Sequence, residues 1–451
     1  MHFSQHYLDC LSHASYVVGD ETTGRAVVVD PQRDVRGYLE EVAEANLRIE
    51  LVIETHVHAD FVSGHLELAA ATGAEIGYGE AADVEFPIRK LRDRERIVLG
   101  DVVLEIRATP GHTPESISVV VYEHARDTVP YGVLTGDALF VGDVGRPDLL
   151  ASAGLDPDTM ARQLYQSLRT QVLTLPDATR VFPAHGAGSA CGKQLSTETQ
   201  STIGDQRATN YALRARSEDE FVALVNEGQP ARPRYFAHDA HVNREERPLF
   251  DERDTPHLLS IERVLELREQ GAQLLDTRSP DEFSLAHLQG SINVGLEGRF
   301  AEYAGAVLDP SAPIVLVSDP GTELEAKLRL ARIGFDNVAG ALADPLLVFV
   351  QHPELVGQAM RRTASDLRDA VLVDVRGPAE TERGIVPGAR VIPLARLVED
   401  LDQLDPDAPT IVYCAGGYRS SIAASLLRAH GFRDVSDVIG GYAAYEQLAA
   451  R

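Results

Sequence analysis

The first 245 residues alternate short apolar runs with amphipathic stretches. The runs Ala26–Val29, Leu51–Ile53, Val102–Ile106 and Val119–Val121 are brief and β-branched, so they read as buried strands. Phe61 to Ala71 reads as a helix stopped by Gly73. Pro157 to Leu173 reads as another, with Met160, Leu164, Leu168 and Val172 on one stripe and Asp156 as its N-cap. Strand-rich halves with covering helices predict a layered α/β sandwich over residues 1–245. From about Gln229 to His257 the chain is rich in Pro, Arg, Asp and Glu, lacks apolar periodicity and reads as a linker.

Beyond the linker the pattern repeats. Leu275-Asp276-Thr277-Arg278-Ser279-Pro280 matches Val373-Asp374-Val375-Arg376-Gly377-Pro378 at a shift of 98, and Gly290 meets Gly388 at the same shift. Ile314-Val315 matches Ile411-Val412 and Gly334-Phe335 matches Gly431-Phe432 at a shift of 97, so one deletion reconciles the copies. Each copy alternates strand and helix signals and has the size of one small α/β domain. The expected domains are therefore 1–245, 258–352 and 358–451.

Charge narrows the partners. Lys and Arg total 42 against 69 Asp and Glu, a net charge of −27, which disfavours nucleic acid and anionic lipid. No apolar run is long enough to span a membrane, and the N-terminus shows no secretory pattern. Three scattered cysteines, Cys10, Cys191 and Cys414, make no disulfide framework, so the expected compartment is the cytoplasm and a special cysteine is a chemical one. A tandem of small domains leaves apolar faces to cover, which keeps a homo-oligomer open.

The sharpest chemical signal is Thr55-His56-Val57-His58-Ala59-Asp60, directly after the run Leu51-Val52-Ile53. Alternation puts His56, His58 and Asp60 on one side of extended chain, where they can converge on a metal. His112, Asp137 and His185 each stand in a turn after an apolar run, and strand ends are where a sandwich assembles one site. A lone histidine near a turn is ordinarily a polar loop residue; His6, His13, His124, His238, His241, His257, His287, His352 and His430 are read that way.

This ordered set resembles the metallo-β-lactamase superfamily, whose hallmark is Thr-His-x-His-x-Asp-His followed by further His, Asp and His. The resemblance implies an αββα sandwich. Position 61 departs from it: Phe61 stands where dinuclear zinc members have a ligand, which implies one metal instead of two. Within the superfamily the chain looks most like persulfide dioxygenases. That implies one Fe(II) per chain held by His56, His112 and Asp137, with His58, Asp60 and His185 orienting ligands or substrate. Two histidines and one carboxylate also suit non-haem Fe(II) on chemical grounds. Arg146, nine residues after Asp137, would hold an anionic group of the thiol carrier. Cys191, six residues after His185, reads either as an inert core residue or as a thiolate at the pocket mouth, aided by Lys193.

The second repeat carries Tyr413-Cys414-Ala415-Gly416-Gly417-Tyr418-Arg419-Ser420 between an apolar strand and a helix-like stretch. Backbone N–H groups of such a loop, Gly416 and Gly417 among them, can ring a sulfur, and the helix N-terminus stabilises a thiolate. Arg419 adds a fixed cation. The loop looks like that of rhodanese sulfurtransferases. Its Cys-x4-Arg spacing is tighter than the Cys-x5-Arg of cysteine phosphatases. The first repeat has Val317 and Thr322 at the positions of Cys414 and Arg419, so residues 258–352 are expected to be an inactive rhodanese-like domain.

Together these resemblances imply an enzyme of sulfide detoxification. It would oxidise a low-molecular-weight thiol persulfide with O2 to sulfite, and pass sulfane sulfur through Cys414, with thiosulfate as a product. A dinuclear zinc thioester hydrolase of the glyoxalase II type, with an attached sulfurtransferase, is the rival enzyme. A sulfur carrier or persulfide sensor with a structural metal is the rival binding protein.

Overall fold

The computed structural model describes residues 1–149, 151 and 154–450. They fold as two compact units: residues 1–232 with 236–250, and residues 251–450 with 233–235.

The first unit holds two six-stranded sheets. One contains β1 (His2–Leu8), β2 (His13–Asp20), β3 (Arg25–Val29), β4 (Arg48–Ile53), β5 (Glu75–Gly79) and β6 (Arg89–Leu91) in chain order. The other contains β7 (Arg96–Val98), β8 (Val103–Ala108), β9 (Ile117–Tyr122), β10 (Gly132–Gly136), β11 (Arg180–Pro183) and β12 (Ser201–Thr202). Alternate residues of both sheets, such as Val27, Ile53, Leu104, Val119 and Leu134, interlock in one buried core. The opposite faces pack against helices, through Val28, Val52 and Leu68 on one side and Val133, Leu164 and Val181 on the other. This is the expected αββα sandwich.

Asp156 caps the helix Pro157–Ser167 through the amide of Thr159, as read from the sequence, and the last turn, Leu168–Val172, widens to a π-helix. Two boundaries differ from expectation. The helix after the His-rich motif is His65–Thr72, and residues 57–64 are irregular because their amides bond to side chains and loops, Val57 to Glu115 and Ser63 to Asn243. The expected linker contains the helix Phe236–Val242, and residues 236–250 belong to the first unit.

The second unit carries the repeat. Its first sheet combines β13 (Leu258–Leu259), β14 (Gln273–Asp276), β16 (Ile292–Asn293), β17 (Ile314–Val317) and β18 (Val338–Leu342), while β15 (His287–Leu288) pairs with β19 (Val356–Gly357). Its second sheet combines β20 (Met360–Arg362), β21 (Val371–Asp374), β22 (Arg390–Val391), β23 (Thr410–Tyr413) and β24 (Val435–Val438). The orders β13-β18-β17-β14-β16 and β20-β24-β23-β21-β22 are the same under the repeat, and both sheets are parallel. Among the described residues no helix is long and apolar enough to cross a membrane.

Candidate metal centre and sulfur-transfer loop

The centre of the first unit lies past the ends of β4 and β10. His56, His112 and Asp137 are buried, and one donor atom from each lies within 4.8 Å of the others. His56 Nε2 is 3.8 Å, and His112 Nε2 3.4 Å, from Asp137 Oδ2. The far side of each group is anchored. His112 Nδ1 donates to the carbonyl of Arg146 at 2.9 Å, so Nε2 carries the lone pair. Thr55 Oγ1 donates to Asp30 at 2.9 Å and accepts from His56 Nδ1 at 2.9 Å, which orients His56 in the same way. Asp137 Oδ1 accepts from His185 Nδ1 at 2.7 Å. What remains is revealing: His56 Nε2 and Asp137 Oδ2 are buried with no hydrogen-bond partner. Buried polar atoms are nearly always satisfied, so two orphans converging on one point fit a cation.

Protonation agrees. Burial, then the neighbouring histidines, hold His56 well below the usual imidazole range, and burial lowers His112 too, so both are neutral donors. Burial opposes ionisation of Asp137, but the charge and hydrogen bond of His185 outweigh it and its carboxyl lies below the ordinary value. His185 is pushed up to about 10: burial opposes the proton, but Asp137 and Asp60 together prevail.

The other expected groups lie around this set. His58 Nε2 is 3.0 Å from Asp30 and 3.3 Å from Glu54, both buried, and its Nδ1 is an orphan. Asp60, His185 and Cys191 form a second buried triad of donors, with Asp60 at 2.6 Å from His185 Nε2. Phe61 packs its ring on His58 at 4.4 Å and on His13 at 3.9 Å.

Three expectations change. Cys191 is buried, and burial together with the Asp60 and Asp137 carboxylates pushes its thiol well up, so it carries a proton instead of being a thiolate. Lys193 does not assist it: its Nζ donates to the carbonyls of Leu224 and Glu227, at 2.6 and 2.7 Å, capping the helix Glu218–Asn226. The Arg146 guanidinium is buried and already matched, donating twice to Asp148 at 2.7 and 2.8 Å and once to the Ala190 carbonyl at 3.0 Å.

Sequence reading missed His13, which is fully buried beside His58 and His185 with both ring nitrogens unpartnered. It also missed Asn243. This fully buried side chain donates to the carbonyls of His58 and Phe61, at 2.9 and 2.7 Å, and accepts from the amide of Ser63 at 2.9 Å. Arg247 adds bonds to the Ser63 carbonyl and to Glu67. Residues 243–247 therefore strap the His-rich loop in place. No local signal marks His13; the strap's clustered Asn and Arg were the available hint.

In the second unit β23 delivers Cys414 into its loop. Gly417 takes φ 107°, a left-handed conformation suited to glycine, and its amide donates to Cys414 Sγ at 3.1 Å. Ser420 Oγ lies 3.6 Å from the sulfur, and the helix Tyr418–Ala429 starts at the loop. No atom crowds the open side of Gly416. Arg419 is not a free cation: it forms a bidentate pair with Glu380, at 2.6 and 2.7 Å. In the first repeat β17 ends at Val317, and no nucleophile or cation stands in the equivalent loop.

Comparison with known proteins agrees with this architecture. The metallo-beta-lactamase superfamily profile matches residues 8–185, and the rhodanese-like domain profile matches 260–342 and 358–448. The mitochondrial persulfide dioxygenase ETHE1 of Bos taurus is 30% identical over 220 residues, spanning 47% of this chain and 75% of that protein. A probable metallo-hydrolase of Burkholderia pseudomallei is 30% identical over 245 residues, spanning 47% of this chain and 80% of that one. A crystal structure described as a metallo-beta-lactamase from Staphylococcus aureus covers 75% of this chain and 98% of its own, with a TM-score of 0.68 and 34% identity. The chain thus belongs to the metallo-β-lactamase superfamily through its first unit, joined to two rhodanese-like domains in tandem.

Proposed function

We propose that the chain is a persulfide dioxygenase fused to a rhodanese-type sulfurtransferase. The observation that carries this reading is the pair of orphaned buried donors, His56 Nε2 and Asp137 Oδ2, meeting His112 Nε2 in a unit similar to a persulfide dioxygenase. An iron(II) ion held by His56, His112 and Asp137 would supply the chemistry that joins O2 to sulfane sulfur and yields sulfite. The chain's own groups prepare the site. The Arg146 carbonyl and Thr55 hydroxyl fix the two imidazoles, and His185 holds the carboxylate. The rings of Phe61 and His13 pack together, with Phe61 against His58. Cys191, held protonated beside Asp60 and His185, borders the centre as a neutral thiol.

Cys414 is the sulfane-sulfur nucleophile of the second unit. The Gly417 amide and the helix N-terminus stabilise its thiolate and persulfide forms. Thiosulfate arises when that sulfur passes to sulfite.

The second reading, a dinuclear zinc hydrolase, is favoured by one observation, the adjacent triad Asp60, His185 and Cys191. Metal analysis with an oxygen electrode decides, using glutathione persulfide and then coenzyme A persulfide. One iron per chain with oxygen uptake is expected; two zinc ions per chain without uptake would overturn the reading.

A further inference from the structure

The two repeats differ at one paired position in a way that exposes a second site. In the second repeat Glu380 and Arg419 neutralise each other. The first repeat keeps the acid and loses the base: Glu282 stands at the position of Glu380, on the matching short helix, and Thr322 stands at that of Arg419. Glu282 is left with neutral donors, the amide and hydroxyl of Ser279 at 3.1 and 2.5 Å. Asp319, in the loop corresponding to that of Cys414, borders the same cavity as Glu282. Partial burial, then the Glu282 charge, raises the Asp319 carboxyl above its ordinary value against the opposing charge of Arg278. Neither carboxylate has an ion-pair partner among the described residues.

A cavity of ≈ 670 Å³ opens over this pair. Its size lies in the range of about 300–1,000 Å³ usual for small-molecule sites. Thr277, Tyr303 and Tyr418 form other parts of its wall; Arg299 lines it too, but is paired with Glu302. Tyr418 opens the helix that follows the Cys414 loop, and its ring meets that of Tyr303 edge-on at 5.5 Å. The charges of Arg419 and Cys414 both act on the Tyr303 hydroxyl. One wall of the cavity is thus acidic, the cations beside it, Arg278 and Arg299, being already paired with Asp276 and Glu302, and another carries Tyr418, four residues past Cys414.

We propose that this cavity seats the carrier thiol of the sulfurtransferase and selects thiols bearing a protonated amine, whose ammonium lies between Glu282 and Asp319. The proposal rests on the reading of Cys414 as the sulfane-sulfur nucleophile. It assigns the degenerate repeat a binding role: losing Arg419's counterpart turned an anion-handling loop into a cation site. Carriers whose distal groups are phosphates are repelled by the same pair. In the transfer, the carrier thiolate attacks the outer sulfur of the Cys414 persulfide. A carrier–sulfur bond forms, the Cys414 S–S bond breaks, and its electron pair returns to Cys414 as thiolate. Loading from thiosulfate is the analogous exchange, with sulfite leaving, so no oxidant is consumed.

The test uses the full chain with thiosulfate as donor and cysteine or N-acetylcysteine as acceptor, which differ in the free amine. In the Glu282→Gln, Asp319→Asn double variant the ratio of kcat/KM for cysteine to that for N-acetylcysteine should fall about tenfold, the size expected for a lost charge-assisted contact. Gln at 282 preserves the capping box, so the helix Pro280–Leu285 is kept. Equilibrium binding of the same two thiols to Cys414→Ser protein tests the site without the chemistry, and cysteine should bind more tightly until the two acids are neutralised. An unchanged ratio, or binding indifferent to the amine, overturns the proposal. Absent turnover of thiosulfate with cyanide by the wild type would instead remove Cys414 as nucleophile, while the binding measurement still judges the cavity.

Discussion

The metal centre and the sulfur loop solve similar problems by opposite means. The loop is one continuous stretch from Cys414 to Arg419, and the groups that reach its sulfur, the Gly417 amide and the Ser420 hydroxyl, come from the loop and the first turn of the helix that follows it. The metal centre draws side chains from segments as far apart as His13 and Asn243, and holds them with buried ions: His58 between Asp30 and Glu54, His185 between Asp60 and Asp137. A backbone cradle forms wherever its turn forms. A site of converging charged side chains exists only while every strut is present, because a buried charge stripped of its partner is costly. The centre should therefore be fragile to change at a distance, and the loop robust to it.

The largest effect expected is at the shared carboxylate. Asp137→Ala removes one donor and strands His185, so iron content should approach zero and oxygen uptake should fall by roughly a thousandfold or more. Thiosulfate-to-cyanide transfer should continue. An Asp137→Ala protein with full oxygen uptake would assign the metal a structural role. The reciprocal change is Cys414→Ser, which should spare oxygen uptake and abolish thiosulfate formation; unchanged thiosulfate would remove Cys414 from the chemistry.

These two tests concern the residues that sequence reading found, and the reason they were legible is geometric. Cys414, Gly417 and Arg419 are neighbours in the chain, and His56, His112 and Asp137 each follow an apolar strand, so pattern marks them as candidates, while the choice of the latter three as one ligand set came from the family resemblance. The repeat was legible for the same reason, since strand ends such as Asp276 and Asp374 recur in register. Asn243 was not, because a polar residue that satisfies buried backbone looks in sequence like any loop residue. The strap has no apolar stripe: its hold on the first unit comes from hydrogen bonds and the Arg247–Glu67 pair, and so it resembled a linker. Arg146 and Lys193 show the converse. A cation's sequence position does not say whether its charge is spare, and here both are consumed locally.

Asn243 therefore gives the next sharpest contrast. Asn243→Ala leaves two carbonyls and one amide of the His58–Ser63 loop unpaired, costing about 3 kcal/mol of stability. Metal affinity should weaken by about ten- to a hundredfold, the usual range for residues that orient ligands. Cobalt(II) titration of the metal-free protein reads this directly through its visible absorption. Cys414-dependent transfer, measured alongside, should be unaffected. Equal losses in both activities would mean the strap supports the whole chain and not the centre.

The smallest effect, and the one most particular to a site built from ions, is on pH dependence without metal. His185 titrates at about 10 in the folded chain, against 6.5 for an unperturbed imidazole. Between those values the folded protein retains a proton that the unfolded chain has released. Stability linked to this group is thus complete below about pH 6.5 and declines as pH rises towards 10. His13, Cys191 and the carboxylates of Asp60 and Asp137 face the same imidazole, and of these only the two acids, ionised throughout, hold its proton. Thermal unfolding of metal-free protein from pH 6.5 to 10 should therefore show a falling first-unit transition that His185→Gln flattens. The second-unit transition should respond equally in both proteins, since His185 belongs to the first unit. Parallel pH profiles for wild type and variant would mean that burial alone, and not the acid–imidazole–acid arrangement, shapes the centre before metal enters.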